Sequence, residues 1–330
     1  MKLATLKNGT RDGLLVVVSN DLRKAVAAEG IAGTMQHALD NWTHCEPMLR
    51  ELHRRLNAGS AENAIAFDTT QAAAPLPRSP QWCDASAFLN HGRLMEIAFK
   101  TQPIPDFETI PVIYQGASDD FLGPCDDIPL PDEAHGIDFE GEFGVIVDEV
   151  PMGCPPEDAL AHIKLLVQIN DVSLRTLGSR EIRTGFGFFT AKPSSSFAPV
   201  AVTPDELGDA WHDGRVRLPL HIRWNGEWFG NPHGSEMNFG FHQLIAHAAM
   251  TRKLSAGTII GSGTVSNTDR KAGSACISER RAIEMAESGA IRTGFMRFGD
   301  TVRMEAKASD EKPLFGAIEQ RVVQQRYQRT

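Results

Sequence analysis

Two glutamates separated by one residue lie in an apolar stretch near the middle of the chain. Glu140 and Glu142 belong to the sequence FEGEFGVIV at residues 139–147. On a β-strand, residues i and i+2 point to the same face and lie roughly 6.5–7 Å apart. Two carboxylates in this arrangement repel each other unless water or a cation lies between them. A solvated strand face explains most isolated Glu-X-Glu pairs, but the apolar flanks favour a central strand and therefore a site for a hard cation.

Two other acids interrupt apolar or aromatic sequence. Asp171 lies within LVQINDVS at residues 166–173, and Asp84 follows Gln81, Trp82 and Cys83. Taken alone, each acid could equally belong to a turn or a helix cap. Together with the glutamate pair they would offer four oxygen ligands, which suit Mg²⁺, Mn²⁺ or Ca²⁺ better than zinc. The residue types alone therefore support a divalent-cation site as a hypothesis.

Several other kinds of catalytic site are not supported by the sequence. There is no P-loop, no HExxH zinc motif and no GxSxG nucleophile elbow. Gly261-Ser262-Gly263 lacks the third glycine of a dinucleotide-binding motif. The five cysteines are scattered and form no CxxC pair, so we expect free thiols in a reducing compartment.

Charge and hydropathy limit the classes of partner. The 330 residues include 33 Lys and Arg against 42 Asp and Glu, which gives a net charge of −9. No basic cluster is long enough to follow a phosphate backbone, so we expect no nucleic-acid partner. The longest aliphatic run, residues 14–18, is too short to span a bilayer, and the first residues lack the apolar core of a signal peptide. We therefore expect a cytoplasmic protein without a membrane partner.

The pattern of elements predicts two domains. Residues 2–7 and 14–19 have the pattern of a hairpin, and residues 35–57 have helical spacing. The proline-rich segment at residues 72–80 predicts a linker, which separates a small N-terminal domain (1–78) from a larger domain (79–330). In the larger domain helices are few and do not alternate regularly with strands. This pattern favours a β-dominated α+β fold over a doubly wound sheet.

Six segments, taken in order, resemble motifs of the fumarylacetoacetate hydrolase family. They are WCD (82–84) with Asn90-His91, PVIYQG (111–116), DFEGE (138–142), NDVSLR (170–175), AKP (191–193) and GSGTVS (261–266). The resemblance covers residues 80 to about 322, and residues 1 to about 75 resemble the smaller N-terminal domain of bacterial members. It implies a mixed β-roll catalytic domain behind a small α+β domain, a homodimer, and one bound Mg²⁺, Ca²⁺ or Mn²⁺.

The resemblance also implies roles for individual residues. It places the metal ligands at Asp84, Glu140, Glu142 and Asp171. It places a general base at His91, an acid that orients this base at Glu279, and a cation near the metal at Lys192. It places substrate contacts at Tyr114, Lys100 and Thr264. Glu279 lies about two positions late for its motif, Lys100 stands where the family has arginine, and a family glutamine is missing from residues 176–180.

The family cleaves a carbon–carbon bond beside a carbonyl in 1,3-diketo acids such as fumarylacetoacetate or acylpyruvates. We therefore expect metal-dependent hydrolysis of such a substrate, with His91 as the base. One alternative keeps the fold and changes the reaction to hydration or decarboxylation of a 2-oxo acid. A second alternative is a metal-binding protein without catalysis, which would need neither His91 nor Lys192.

Overall fold

The computed structural model describes residues 1–99, 102–308 and 312–326, and within those ranges the chain forms twenty strands and seven α-helices. The strands are β1 (Lys2–Leu6), β2 (Leu14–Val18), β3 (Lys24–Ala27), β4 (Ile65–Ala66), β5 (Trp82–Ala85), β6 (Ile113–Gly116), β7 (Ile128–Leu130), β8 (Ile137–Asp138), β9 (Gly141–Val147), β10 (Ile163–Asn170), β11 (Ser173–Leu174), β12 (Ser196–Phe197), β13 (Ala201–Val202), β14 (Trp211–His212), β15 (Arg215–Val216), β16 (Leu220–Trp224), β17 (Glu227–Gly230), β18 (Ile259–Gly261), β19 (Thr301–Ala306) and β20 (Ile318–Gln324). The helices are α1 (Met35–Asp40), α2 (Trp42–Asn57), α3 (Leu89–Phe99), α4 (Pro156–Ala159), α5 (Arg175–Thr184), α6 (Phe241–Ala248) and α7 (Ile277–Ser288).

The N-terminal residues form the predicted hairpin and two helices. Strands β1 and β2 pair in antiparallel register from Lys2↔Val18 to Leu6↔Leu14. The helix predicted over residues 35–57 is two helices, because the backbone leaves the helical conformation at Asn41 (φ −125°, ψ 33°). Thr34 caps the first helix by accepting a hydrogen bond from the His37 N–H. The prediction was therefore correct in type and span, and wrong about continuity.

The largest sheet crosses the predicted domain boundary. Its strand order is β4-β3-β2-β1-β13-β10-β9-β18-β5-β6, with β12 paired to β10. Strand β1 pairs with β13, so the N-terminal strands extend the sheet of the larger part of the chain. The boundary near residue 78 stays a prediction.

Strand β9 lies in the interior of this sheet, as the apolar flanks of the two glutamates predicted. All seven of its residues are buried. It pairs antiparallel with β10 on one side and with β18 on the other. Because β18 also pairs in parallel with β5, three neighbouring strands bring residues distant in sequence to one edge of the site.

A second sheet, β17-β16-β19-β20-β7, packs its apolar residues into the same core. The hairpin predicted around Asn225-Gly226 joins β16 and β17. The strand-rich mixed architecture predicted from the sequence is therefore confirmed. None of the helices in the described part of the chain is both long enough and apolar enough to cross a membrane.

Candidate active site

Four carboxylates converge near the ends of three strands of the large sheet, β5, β9 and β10. Asp84 lies on β5, Glu142 lies on β9 with Glu140 just before it, and Asp171 follows β10. The strand register places Asp84 beside Gly261 and Gly261 beside Gly144. One carboxylate oxygen from each acid lies within 4.8 Å of one from every other. All four side chains belong to residues that are at most 4% exposed, so they face one another and not bulk water.

Half of this acidic cluster lacks a compensating charge. Both carboxylate oxygens of Glu142 are buried and accept no hydrogen bond from any described residue. Asp84 accepts one from the backbone N–H of Gly263, at 3.1 Å. Burial and the neighbouring acids raise the pKa of Asp84 to about 8 and the pKa of Glu142 well above its ordinary value. Buried carboxylate oxygens without donors are the chemistry that a hard divalent cation satisfies, so the residues fit Mg²⁺, Mn²⁺ or Ca²⁺.

The other half of the cluster is neutralised by two cations. Lys192 Nζ lies 2.8 Å from Glu140 Oε2 and 2.5 Å from Asp171 Oδ2. Arg175 Nε lies 2.8 Å from Asp138 Oδ2, and its Nη2 also pairs with Glu140. Burial opposes ionisation of Glu140, but the charges of Arg175 and Lys192 outweigh it and lower the pKa of that carboxyl to about 2. The charge of the cluster is therefore asymmetric, with the uncompensated part at Asp84 and Glu142.

Asp171 is held by two hydroxyl donors as well. Tyr114 Oη donates to Asp171 Oδ2 at 2.6 Å, and Ser195 Oγ donates to Asp171 Oδ1 at 2.6 Å. Burial and the nearby Asp171 charge raise the pKa of Tyr114 well above its ordinary value, so the phenol stays protonated. Phe188 packs edge-on against the tyrosine ring at 5.3 Å. Tyr114 is thus fixed at the wall of the cluster.

Helices α3 and α7 place His91 and Glu279 opposite each other. His91 Nδ1 lies 3.9 Å from Glu279 Oε1, and both residues are nearly buried. Among the described residues, neither His91 Nδ1 nor Glu279 Oε2 has a hydrogen-bond partner. Glu279 therefore lies beside the histidine, although it comes about two positions later in the sequence than in the family motif.

Two further residues, Ser266 and Asn90, hold this pair, and neither was predicted as a site residue. Ser266 Oγ donates to Glu279 Oε1, and Asn90 Nδ2 donates to Ser266 Oγ at 2.7 Å. Asn90 also donates to the Asn267 carbonyl at 2.9 Å. Both residues lie inside motif segments noted above, next to His91 and two positions after Thr264. Their adjacency to predicted site residues was the signal that could have found them.

A glycine turn brings Thr264 to the same place. Gly263 has φ +74°, and a Cβ on it would lie 2.2 Å from the Ala85 carbonyl oxygen. A Cβ on Gly261 would lie 2.3 Å from Asp84 Oδ1. Only glycine permits this close approach of the loop after β18 to strand β5. Thr264 Oγ1 is buried and has no hydrogen-bond partner among the described residues, so it offers a hydroxyl to a ligand.

These residues enclose one cavity of about 150 Å³. Its wall includes seven predicted site residues, which are Asp84, His91, Tyr114, Glu140, Glu142, Lys192 and Thr264. Asp171 lies behind Tyr114 and Lys192, and Glu279 lies behind His91. Arg175, which was not predicted, also lines the wall. Lys100 lies outside the described residues.

Comparison with known proteins gives matches to both parts of the chain. The family model "Fumarylacetoacetate (FAA) hydrolase C-terminal" matches residues 81–323, and "Fumarylacetoacetase N-terminal domain 2" matches residues 1–78. A 2,4-didehydro-3-deoxy-L-rhamnonate hydrolase of Sphingomonas sp. (strain SKA58) is 30% identical over 165 residues, 49% of this chain and 54% of that protein. A mitochondrial oxaloacetate tautomerase of Xenopus laevis is 27% identical over 157 residues, 47% of each chain. The chain thus spans about half the length of these curated relatives.

Solved structures share the fold. The maleylpyruvate hydrolase from Sphingobium sp. SYK-6, in complex with manganese(II) ion and pyruvate, has a TM-score of 0.65 and 16% identity. The match covers 99% of this chain and 100% of that one. At this identity the similarity establishes the architecture, and the chemistry must be argued from the site itself.

Proposed function

The chain belongs to the fumarylacetoacetate hydrolase family, and on that premise we propose that it is a divalent-metal-dependent hydrolase that cleaves a carbon–carbon bond in a 1,3-diketo acid of the acylpyruvate type. One observation carries the proposal. A four-carboxylate cluster, a buried lysine and a histidine facing an acid border one small cavity. A structural metal site would need the cluster alone.

The residues proposed to hold the cation are Asp84, Glu140, Glu142 and Asp171. The chemistry that a bound divalent cation supplies is charge compensation and polarisation of carbonyl oxygens. The negative charge of the cluster is unevenly distributed, because Lys192 and Arg175 already neutralise the side at Glu140. The manganese ion in the related maleylpyruvate hydrolase structure supports the choice of a divalent metal.

His91 is the proposed general base. Its imidazole takes a proton from water, and the water oxygen forms a bond to the substrate's acyl carbonyl carbon. The bond between that carbon and the neighbouring methylene then breaks, and its electron pair leaves as the enolate of pyruvate. Protonation of the enolate gives pyruvate, and the acyl fragment leaves as a carboxylic acid, so one water is consumed per turnover. Glu279 would stabilise the imidazolium formed in the first step.

Lys192 is the proposed stabiliser of the enolate. Burial opposes its charge, but Asp171 and Glu140 raise the pKa of its ammonium above the ordinary value, so it stays protonated. A fixed positive charge in a water-poor cavity favours the charge that develops on the leaving fragment. Thr264 presents an unpartnered hydroxyl to the same space and would donate to a carboxylate or keto oxygen of the substrate. Tyr114, whose phenolic proton is donated to Asp171, would contact the substrate through its ring.

A second candidate function is tautomerisation or decarboxylation of a small 2-oxo acid such as oxaloacetate. The specific observation in its favour is the 3.9 Å between His91 and Glu279, which exceeds hydrogen-bonding distance. A histidine that is less firmly oriented suits proton transfer on a substrate carbon or oxygen as well as water activation. The similarity to an oxaloacetate tautomerase supports this alternative. The predicted homodimer and cytoplasmic location stay predictions.

A product analysis separates these functions. The protein is stripped with a chelator, then assayed with and without Mg²⁺ or Mn²⁺ on acetylpyruvate, fumarylacetoacetate and oxaloacetate, with pyruvate, carboxylic acid and enol measured separately. We expect metal-dependent release of pyruvate and acetate in equal amounts from acetylpyruvate, and of fumarate and acetoacetate in equal amounts from fumarylacetoacetate if that substrate is accepted. Enol–keto exchange or CO₂ release without hydrolysis would favour the second candidate. Metal binding without turnover of any substrate would contradict both.

A further inference from the structure

A groove between three helices adjoins the catalytic cavity. It encloses about 320 Å³ and is lined by side chains of α3, α5 and α7. The residues of α7 that line the groove lie on one face of the helix, because they are three or four positions apart. They are Ser278, Arg281, Ala282 and Met285. Arg175 lines both the groove and the catalytic cavity. The two spaces therefore share a wall at the residue that binds Glu140.

The catalytic cavity alone is small for a complete substrate. Its volume of about 150 Å³ is below the roughly 300–1,000 Å³ of ordinary ligand sites. The groove offers a further space of about 320 Å³, which meets the catalytic cavity at Arg175. The reacting 2-oxo acid end fits the cavity, and a longer acyl arm needs a second compartment.

In the described part of the chain, the groove has an apolar rim and a cation, Arg281, that has no acidic partner. Ile97, Met285 and Ile291 are 44%, 37% and 42% exposed, which is high for large apolar side chains. Arg281 lies over the Phe295 ring at 4.4 Å and donates to the Thr293 carbonyl. Within the described ranges no carboxylate lies at ion-pair distance from Arg281. Arg175, in contrast, already pairs with Asp138 and Glu140.

We propose that this groove is a subsite for the substrate's acyl arm, and that it selects an apolar arm ending in a carboxylate bound by Arg281. The proposal rests on the proposed hydrolase function. The exposed apolar side chains would be covered by the methylene or alkene part of the arm, and the unpaired guanidinium would bind its terminal anion. A polyhydroxylated sugar-acid arm would leave its hydroxyl groups against Ile97, Met285 and Ile291 and would be disfavoured.

The test compares substrates that differ only in the arm. Two 2,4-diketo acids of equal length are used, one ending in a carboxylate and one in a methyl group, together with acetylpyruvate, whose arm is a single methyl group. Arg281→Met should lower kcat/KM for the carboxylate-ended substrate roughly 10–100-fold, the effect of losing one charge-assisted hydrogen bond. It should change the other two substrates less than about threefold. Arg55→Met is the matched control, because Arg55 also donates to a backbone carbonyl but lies on α2.

A second variant tests the space and not the charge. Ser179 is an exposed residue of α5 at the groove wall, so Ser179→Phe fills the groove at little risk to folding. It should lower kcat/KM for both long substrates and leave that of acetylpyruvate unchanged. Turnover of the long substrates that neither variant alters would overturn the subsite and leave the proposed function intact. Absence of turnover of every substrate by the metal-loaded wild type would overturn the proposed function, and the subsite with it.

Discussion

His91 Nδ1 and Glu279 Oε1 lie 3.9 Å apart, across the contact between helices α3 and α7. Glu279 is also bound by Ser266, which Asn90 binds in turn from the residue next to His91. Contacts from Asn90 through Ser266 to Glu279 therefore fix the distance between the acid and His91, which follows Asn90 in the sequence. A small shift of either helix would bring the two groups into a hydrogen bond, which is common when catalytic sites close on a substrate.

Replacement of His91 by alanine should remove most turnover and leave the metal site in place. The carboxylates hold the cation, while the imidazole only transfers a proton, so kcat should fall roughly 10²–10⁴-fold. Steady-state kinetics and calorimetric titration with Mn²⁺ measure the two properties. His162→Ala is the control, because His162 also contacts an acid, Asp148, at 2.7 Å but lies outside the cavity. Wild-type kcat in His91→Ala would show that another group activates the water.

Ser266 should act as a positioning residue for Glu279. Ser266→Ala removes the donor to Glu279 Oε1 and the acceptor of Asn90, so the acid is held less firmly against His91. We expect kcat to fall by about 5–50-fold with little change in KM, from the loss of one or two buried hydrogen bonds. Ser266→Thr keeps the hydroxyl and should restore most of the rate. Equal losses in the alanine and threonine variants would indicate a packing role only.

The glutamate pair of the acidic cluster could be predicted from the residues because strands impose simple rules, whereas only the family resemblance identified Asp84 and Asp171 as ligands. Alternation on β9 and the apolar flanks of Glu140 and Glu142 were enough to predict a buried pair. The three helices that carry His91, Arg175 and Glu279 gave no such signal. Helix α3 begins LNHG, and α5 contains Gly178 among charged residues, so neither shows a clean apolar stripe.

Whether Glu279 faces His91 despite its late position in the motif depends on the residue at which α7 begins, and the sequence does not show that residue. Asp138 accepts hydrogen bonds from the Ile277 and Ser278 N–H groups, and Cys276 Sγ accepts one from the Glu279 N–H. These caps fix where the helix begins and turn Glu279 towards α3. A long-range contact, between residues 138 and 277, thus decides the orientation of a site residue. The groove beside the cavity is formed by α3, α5 and α7, and it could not be predicted from the sequence for the same reason.

Lys192→Met should lower activity and change the dependence of stability on metal. Removing a positioned charge from the enolate should lower kcat roughly 10²–10³-fold. Glu140 and Asp171 would lose a buried partner, so the metal-free protein should melt at a lower temperature. Metal affinity should hold or rise, because a nearby positive charge is gone, and saturating Mg²⁺ should recover much of the lost melting temperature. Lys253→Met, which breaks an exposed ion pair with Glu149, is the control. A rate within about threefold of wild type would exclude Lys192 from the mechanism.

Cation binding should release protons, because Asp84 and Glu142 hold them in the metal-free protein. Burial and neighbouring acids raise the pKa of Asp84 to about 8 and that of Glu142 well above its ordinary value, whereas both groups titrate near 4 in the unfolded chain. Between pH 4 and 8 the folded metal-free protein therefore binds more protons than the unfolded one, and its stability should fall as pH rises through this window. Cation affinity should change in the opposite direction and increase with pH, since each ligand must lose its proton first. Calorimetric titrations at pH 7 in buffers of different ionisation enthalpy should show about one to two protons released per Mn²⁺.

Glu142→Gln should weaken cation binding, release about one proton fewer, and make the metal-free protein more stable at pH 8 than wild type. If Glu142→Gln instead kept wild-type metal affinity and lost stability without metal, the glutamate pair would be a structural feature of the sheet and not a metal site.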